Sequence, residues 1–163
     1  MKYDAYLASV MKRKSDTFYP EMVPQAALDT IIASHVASAQ LVDAAKKALF
    51  YGKPNKVLAS LIEATPVGDD FEGDEDILHA ILGIMTEAAE IGEKRNAPFI
   101  ELKDELGDLL WYVTLLAECL GTNLEELFKM NDAKLEARFG KRFSSDKAIN
   151  RDIQNEDKAI RLN

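Results

Sequence analysis

Three observations predict an all-α fold, a helical bundle assembled as an oligomer. Apolar residues recur at intervals of three and four almost throughout the 163-residue chain. No convincing alternating stretch of strand type interrupts them. The breaks between the periodic segments carry the Pro, Gly and Asn residues that punctuate helices. The length suits one domain, and residues 1–163 are read as a single all-α domain.

The first helix is expected from Tyr3 to Lys14, ending before Phe18-Tyr19-Pro20. Pro24 is a good first-turn residue, and a long helix follows it to Phe50 through Leu28, Ile31, Ile32, Val36, Ala39, Leu41 and Val42. Gly52-Lys53-Pro54 stops it. A short helix covers Asn55 to Ala64, and Thr65 to Asp74, with Pro, two Gly and several acids, reads as a solvated loop. The fourth helix is expected from Glu75 to Arg95, with Ile77, Ile81, Ile84, Met85, Ala88 and Ile91 as its apolar stripe. Asn96-Ala97-Pro98 breaks the chain. The fifth helix runs to Leu120 on a stripe of Leu102, Leu106, Leu109, Val113, Leu116 and Leu120. Gly121 ends it, and Thr122 or Asn123 caps a sixth helix, with Glu125 or Glu126 completing a capping box. That helix closes at Phe139-Gly140. Residues 141–163 are polar, with only Phe143, Ile149, Ile153 and Ile160 as anchors, and read as a partly ordered arm.

Composition narrows the function. The net charge is −8, with 28 acids against 20 Lys and Arg, so the surface repels polynucleotide backbones and anionic lipid. The single Cys119 cannot form an internal disulfide, which suits a reducing cytoplasm. No apolar segment behind Met1 resembles a secretory leader, and no run reaches membrane-spanning length. The expectation is a cytoplasmic protein that binds neither polynucleotide nor membrane.

Four acids carry the chemistry. Glu87 and Glu90 lie three apart on the fourth helix, and Glu105 and Asp108 three apart on the fifth, so each pair shares a helix face. The short connection makes the two helices antiparallel neighbours, and the two faces can converge. Converging carboxylates repel, and a divalent cation relieves the repulsion. An all-oxygen donor set suits Mg²⁺, with Mn²⁺ as a substitute. The alternative is a solvated acidic face on a non-catalytic helical dimerisation or regulatory module. Against it, the acids have small and apolar chain neighbours rather than Lys and Arg. Gly107 inside a helix, at a cost of about 1 kcal/mol against Ala, also suggests close approach by a backbone or ligand.

Gly83-Ile84-Met85-Thr86-Glu87-Ala88-Ala89-Glu90, with Glu105-Leu106-Gly107-Asp108-Leu109-Leu110-Trp111-Tyr112, resembles the all-α nucleoside triphosphate pyrophosphohydrolases of the MazG type. That family carries ExxE on one helix and ExxD on the next. The likeness continues through Asn131, Lys134, Leu135 and Arg138, then Arg142-Phe143-Ser144 and Asn150-Arg151-Asp152, over roughly residues 75–155. Two features depart from it. Many members have a further Glu just before ExxE, where this chain has Thr86. Lys46 to Pro54 resembles a segment that phage-type relatives carry between the acidic helices, and here it precedes both.

The resemblance implies a bundle of the all-α NTP pyrophosphatase type, with residues 75–140 as the catalytic helices and a homodimer or homotetramer as the assembly. It implies Mg²⁺-dependent hydrolysis of a nucleoside or deoxynucleoside triphosphate to the monophosphate and pyrophosphate, by metal-activated water attacking the α-phosphorus. Glu87, Glu90, Glu105 and Asp108 would hold metal, with Glu87 and Glu90 also catalytic. Asn131, Lys134 and Arg138, on one helix face, would meet substrate phosphates, with Lys53 a further candidate. Tyr112, four after Asp108, is a candidate for substrate contact, whereas Trp111 beside Leu109, Leu110 and Val113 reads as core. His79 follows Asp76 by three, as in a di-iron bundle. The chain has only two His, however, and Ile32 stands where that motif needs another Glu.

Overall fold

The computed structural model describes residues 1–64 and 73–162, so most of the Thr65–Asp74 loop lies outside the described residues. Eight α-helices are described: α1 Tyr3–Arg13, α2 Gln25–Tyr51, α3 Lys56–Ala64, α4 Glu75–Glu93, α5 Phe99–Cys119, α6 Leu124–Phe139, α7 Ser145–Ile149 and α8 Ile153–Arg161. A single 3-10 turn covers Pro20–Met22. No strand occurs among the described residues. The first six helices match the apolar periodicity to within two residues at each end.

The chain divides into two compact units, residues 1–22 with 121–163, and residues 23–120. In the second unit, α4 packs most extensively on α5, and α2 lies along α4. Its seam is made of small residues. Ala39 and Ala44 on α2, Ala80, Gly83 and Ala89 on α4, and Ala117 on α5 are all buried. Small side chains let helix axes approach closely. Gly52 ends α2 in the left-handed region, at φ 63°, where a side chain would be strained.

Asp74 caps α4 by accepting from the Ile77 amide. The turn after α4 is tight, with the Lys94 amide donating to the Glu90 carbonyl and the Ala97 amide to the Lys94 carbonyl at 2.8 Å. Pro98 then precedes the first turn of α5.

In the other unit, α6 packs against α1, α7 and α8. Asn123, not Thr122, caps α6 by accepting from the Glu126 amide at 3.1 Å, and Thr122 donates instead to the Glu126 carboxylate. The segment after Gly140, expected to be a partly ordered arm, forms the capped helices α7 and α8. Phe143 packs on Phe139 with ring centres 5.3 Å apart, and an ionic anchor not expected from the sequence is added. Glu156, 1% exposed, accepts from Arg138 at 2.9 and 2.5 Å and from Arg151 at 3.2 and 2.7 Å.

Two packing expectations are corrected. Trp111, expected in the core, is 57% exposed, because the buried face of α5 runs through Glu105, Tyr112 and Ala117. Nothing lies within 4 Å of where a side chain on Gly107 would point, so no close approach explains that glycine. The required glycine is Gly83, where a Cβ would sit 2.2 Å from the Tyr112 ring. No described helix is long and apolar enough to cross a membrane.

Candidate metal centre

The acid pairs enter the helix interface because α4 and α5 run antiparallel from one short turn. Glu87 lies six residues before the end of α4 and Glu105 six residues after the start of α5, while Glu90 stands nearer the turn and Asp108 further from it. Carboxylate oxygens of Glu87, Glu105 and Asp108 come within 4.8 Å of one another. Glu87 and Glu105 are 7% and 4% exposed, while Asp108 is open to solvent. Two buried acids do not make a solvated face, so burial speaks against the surface reading of this cluster.

Glu90, expected to complete the set, stands beside it. Burial, then the negative charges of Glu87 and Glu105, hold its carboxyl above the usual carboxylate range. It also lines a cavity of about 100 Å³ between α2 and α4, together with Asp43 from α2 and Thr86 from α4. The donor set is wholly oxygen, with neither His nor Cys in the cluster, which fits a hard divalent ion such as Mg²⁺ or Mn²⁺.

The acids have small and apolar chain neighbours, but the fold brings basic partners to them. Lys94, at the end of α4, pairs with Glu105, and this hydrogen bond raises the lysine's pKa. Lys46 on α2 is 4% exposed and reaches across to α4. Its ammonium donates to Thr86 Oγ1 at 2.8 Å and to Glu87 Oε1 at 3.4 Å, and stands 3.6 Å from Asp43 Oδ1. It also lies 5.0 Å from the centre of the Tyr112 ring. Thr86 in turn donates to the Gly83 carbonyl at 2.9 Å. Asp43 is shared with Lys47, whose pKa the hydrogen bond raises.

The other expected site residues are placed as follows. Lys53 lines a cavity of about 120 Å³ with Lys47, Asp43 and Asn55, so it is on the acid site's own unit. Tyr112 is buried beneath Gly83, and its hydroxyl lies 3.5 Å from that of Tyr51. Burial and the Tyr51 contact push its pKa well above the ordinary tyrosine range. Asn131, Lys134 and Arg138 belong to α6 in the other unit. There Asn131 accepts from the Tyr6 hydroxyl at 3.0 Å, and Arg138 is committed to Glu156. His79 stacks on Phe50 at 4.2 Å and meets Tyr51, Trp111 and Tyr112 edge-on, so it is an aromatic packing residue rather than half of a di-iron pair.

Sequence reasoning missed Lys46, Lys94 and the part played by Asp43. The spacing of Ala39, Asp43 and Lys46 on one face of α2 was visible, but nothing in it says that this face meets α4.

Two antiparallel helices that bury acids against each other define a class of all-α proteins with an oxygen-donor site in a helix pair. Residues 74–143, which span α4 to just beyond α6, match the family model of the MazG nucleotide pyrophosphohydrolase domain. The chain therefore carries a MazG-like domain over these residues, as the ExxE and ExxD pairs implied, and this supports a nucleotide pyrophosphohydrolase activity. No curated protein and no solved structure matches the chain.

Proposed function

We propose that the protein hydrolyses a nucleoside or deoxynucleoside triphosphate to the monophosphate and pyrophosphate, through attack of water on the α-phosphorus, with Mg²⁺ as its cofactor. The observation that carries this reading is the convergence of Glu87, Glu105 and Asp108 within the matched domain. These three residues would hold the ion, with Glu90 at their edge. Bound Mg²⁺ supplies charge neutralisation at the phosphates and a more acidic water.

The chain's own groups do the positioning. Lys94 and Lys46 hold Glu105 and Glu87 in place, so the acids do not reorganise when substrate arrives. Glu87 and Glu90 are the proposed catalytic acids, Glu90 being the better suited to hold a proton, since its surroundings favour the neutral form. Lys53, which lines a cavity with Asp43, would meet a phosphate. Asn131, Lys134 and Arg138 are proposed to add phosphate contacts, Arg138 while still held by Glu156. Tyr112 contributes by packing under Gly83 and bounding the site.

The protein is proposed to work in the cytoplasm as a homodimer or homotetramer. Leu106, Leu110 and Trp111 on α5 are each more than half exposed, an apolar face that a second copy would cover. A panel of the eight common NTPs and dNTPs with Mg²⁺, resolved by product, tests the activity. Monophosphate and pyrophosphate are expected. Diphosphate and orthophosphate appearing first would place the attack at the γ-phosphorus and refute the assignment.

A further inference from the structure

Lys46 is unusual among the lysines of this chain. Its side chain is buried, and it ends among acids contributed by two helices. A lysine kept for stability alone would more cheaply remain in water, since burying an ammonium is costly unless it is paired. Here the pairing is to Glu87, a residue of the acid cluster itself, and to Asp43 at its rim. The position before ExxE is Thr86, a neutral hydroxyl that accepts from the same ammonium. A carboxylate there would add a fourth oxygen ligand and a further negative charge. This chain instead has a fixed positive charge at that place.

Charge balance points the same way. The carboxylates of Asp43, Glu87, Glu90, Glu105 and Asp108 are met by the ammonium groups of Lys46, Lys47 and Lys94. With Glu90 holding a proton, four carboxylate charges face three ammonium charges, so one divalent ion already offsets the remainder, and a second would add positive charge next to a buried ammonium. We propose that Lys46 is a resident cation of the site, standing where a second divalent ion would otherwise be held, so that one metal ion per chain completes it. Lys46 is thus a positioning residue that sets metal stoichiometry. This rests on the metal reading given above.

Manganese titration of the full chain without nucleotide, followed by the EPR signal of free Mn²⁺, counts the ions directly and does not depend on turnover. Wild type is expected to bind one Mn²⁺ per chain. Lys46→Met removes the charge and keeps the length of the side chain. It is expected to bind two, and to hold the first about tenfold more tightly or better, because a positive charge beside Glu87 is gone. Lys46→Arg keeps the charge and is expected to bind one. Two ions in wild type, or one ion at unchanged affinity in a folded Lys46→Met, would overturn the proposal while leaving the metal site intact. If Lys46→Met fails to fold, the wild-type count alone can still overturn it. No tight Mn²⁺ in wild type would remove the metal reading and this proposal with it.

Discussion

Replacing Glu105 with Gln separates a metal centre from a structural ion-pair cluster. The side chain keeps its shape and an oxygen that can still accept from Lys94, so only the charge is lost. In the metal-free protein that charge faces Glu87 and Asp108 across no more than 4.8 Å. At an effective dielectric of about 20, two like charges at that distance cost about 3.5 kcal/mol per pair. Lys94 and Lys46 offset part of this. In EDTA the variant is therefore expected to melt at the wild-type temperature or above it. Mg²⁺ at a hundred times its dissociation constant stabilises wild type by about 2.7 kcal/mol through mass action. For a chain of this size that is a rise of about 5–10 °C in Tm. In Glu105→Gln the rise should largely vanish and hydrolysis should fall by several orders of magnitude, as at a site whose function costs stability. Calorimetry in EDTA and across a Mg²⁺ series reads both effects. If the variant melts lower in EDTA and keeps the full Mg²⁺ response, Glu105 is a partner for Lys94 and nothing more, and Asp108 loses its assignment too.

Three further outcomes are expected. Gly83→Ala places a methyl group 2.2 Å from the Tyr112 ring, so thermal melts should show about 1–3 kcal/mol of destabilisation, and an unchanged Tm would mean the ring is not held there. Glu156 has its pKa lowered to about 2 by Arg138 and Arg151, against 4.5 when unpaired. Its contribution is thus complete above about pH 4.5 and is lost as the pH falls toward 2. The Tm gap between wild type and Glu156→Gln should close over that window, and a gap that stays constant to pH 2.5 would refute the pairing. Trp111→Lys on the open face of α5 should shift light scattering from a multiple of 18.2 kDa to the single-chain mass, whereas a wild type already at 18.2 kDa would contradict the oligomer.

Helix positions were legible in the sequence because caps and breakers mark them locally. The acid cluster was legible in part because two i, i+3 pairs flank one short turn. Glu87 and Glu105 lie at matching distances from it, so the hairpin brings those two opposite each other, whereas Glu90 lies nearer the turn and falls to the side. The inward face of α4 was not. Its apolar stripe predicted Ile81 and Met85 inside, yet these are 42% and 44% exposed, while Ala80, Gly83, Thr86 and Glu87 are buried. Periodicity finds the apolar side of a helix, but small residues decide where a neighbour can come close. Trp111 was misplaced for the same reason. The polar tail was misread because its ionic anchor, Glu156 between two arginines, leaves no hydrophobic signal.

The order of segments along the chain matters less than the faces they present. The Lys46-to-Pro54 segment precedes both acidic helices here. Even so, α2 carries Lys46, Lys47 and Asp43 onto α4, and Lys53 follows just past its end. A lysine on a helix that packs beside ExxE reaches Glu87 from whichever side of the sequence that helix comes, because its long side chain spans the seam. The requirement is close packing, and small buried residues on the two helices, Ala39 and Ala44 on α2 and Ala89 on α4, provide it. Enlarging that seam would push the ammonium away from Glu87 without touching an acid. Ala89→Leu is therefore expected to change the metal-binding count or affinity in the same direction as loss of the Lys46 charge. If it lowers stability alone, the link between seam and site is broken.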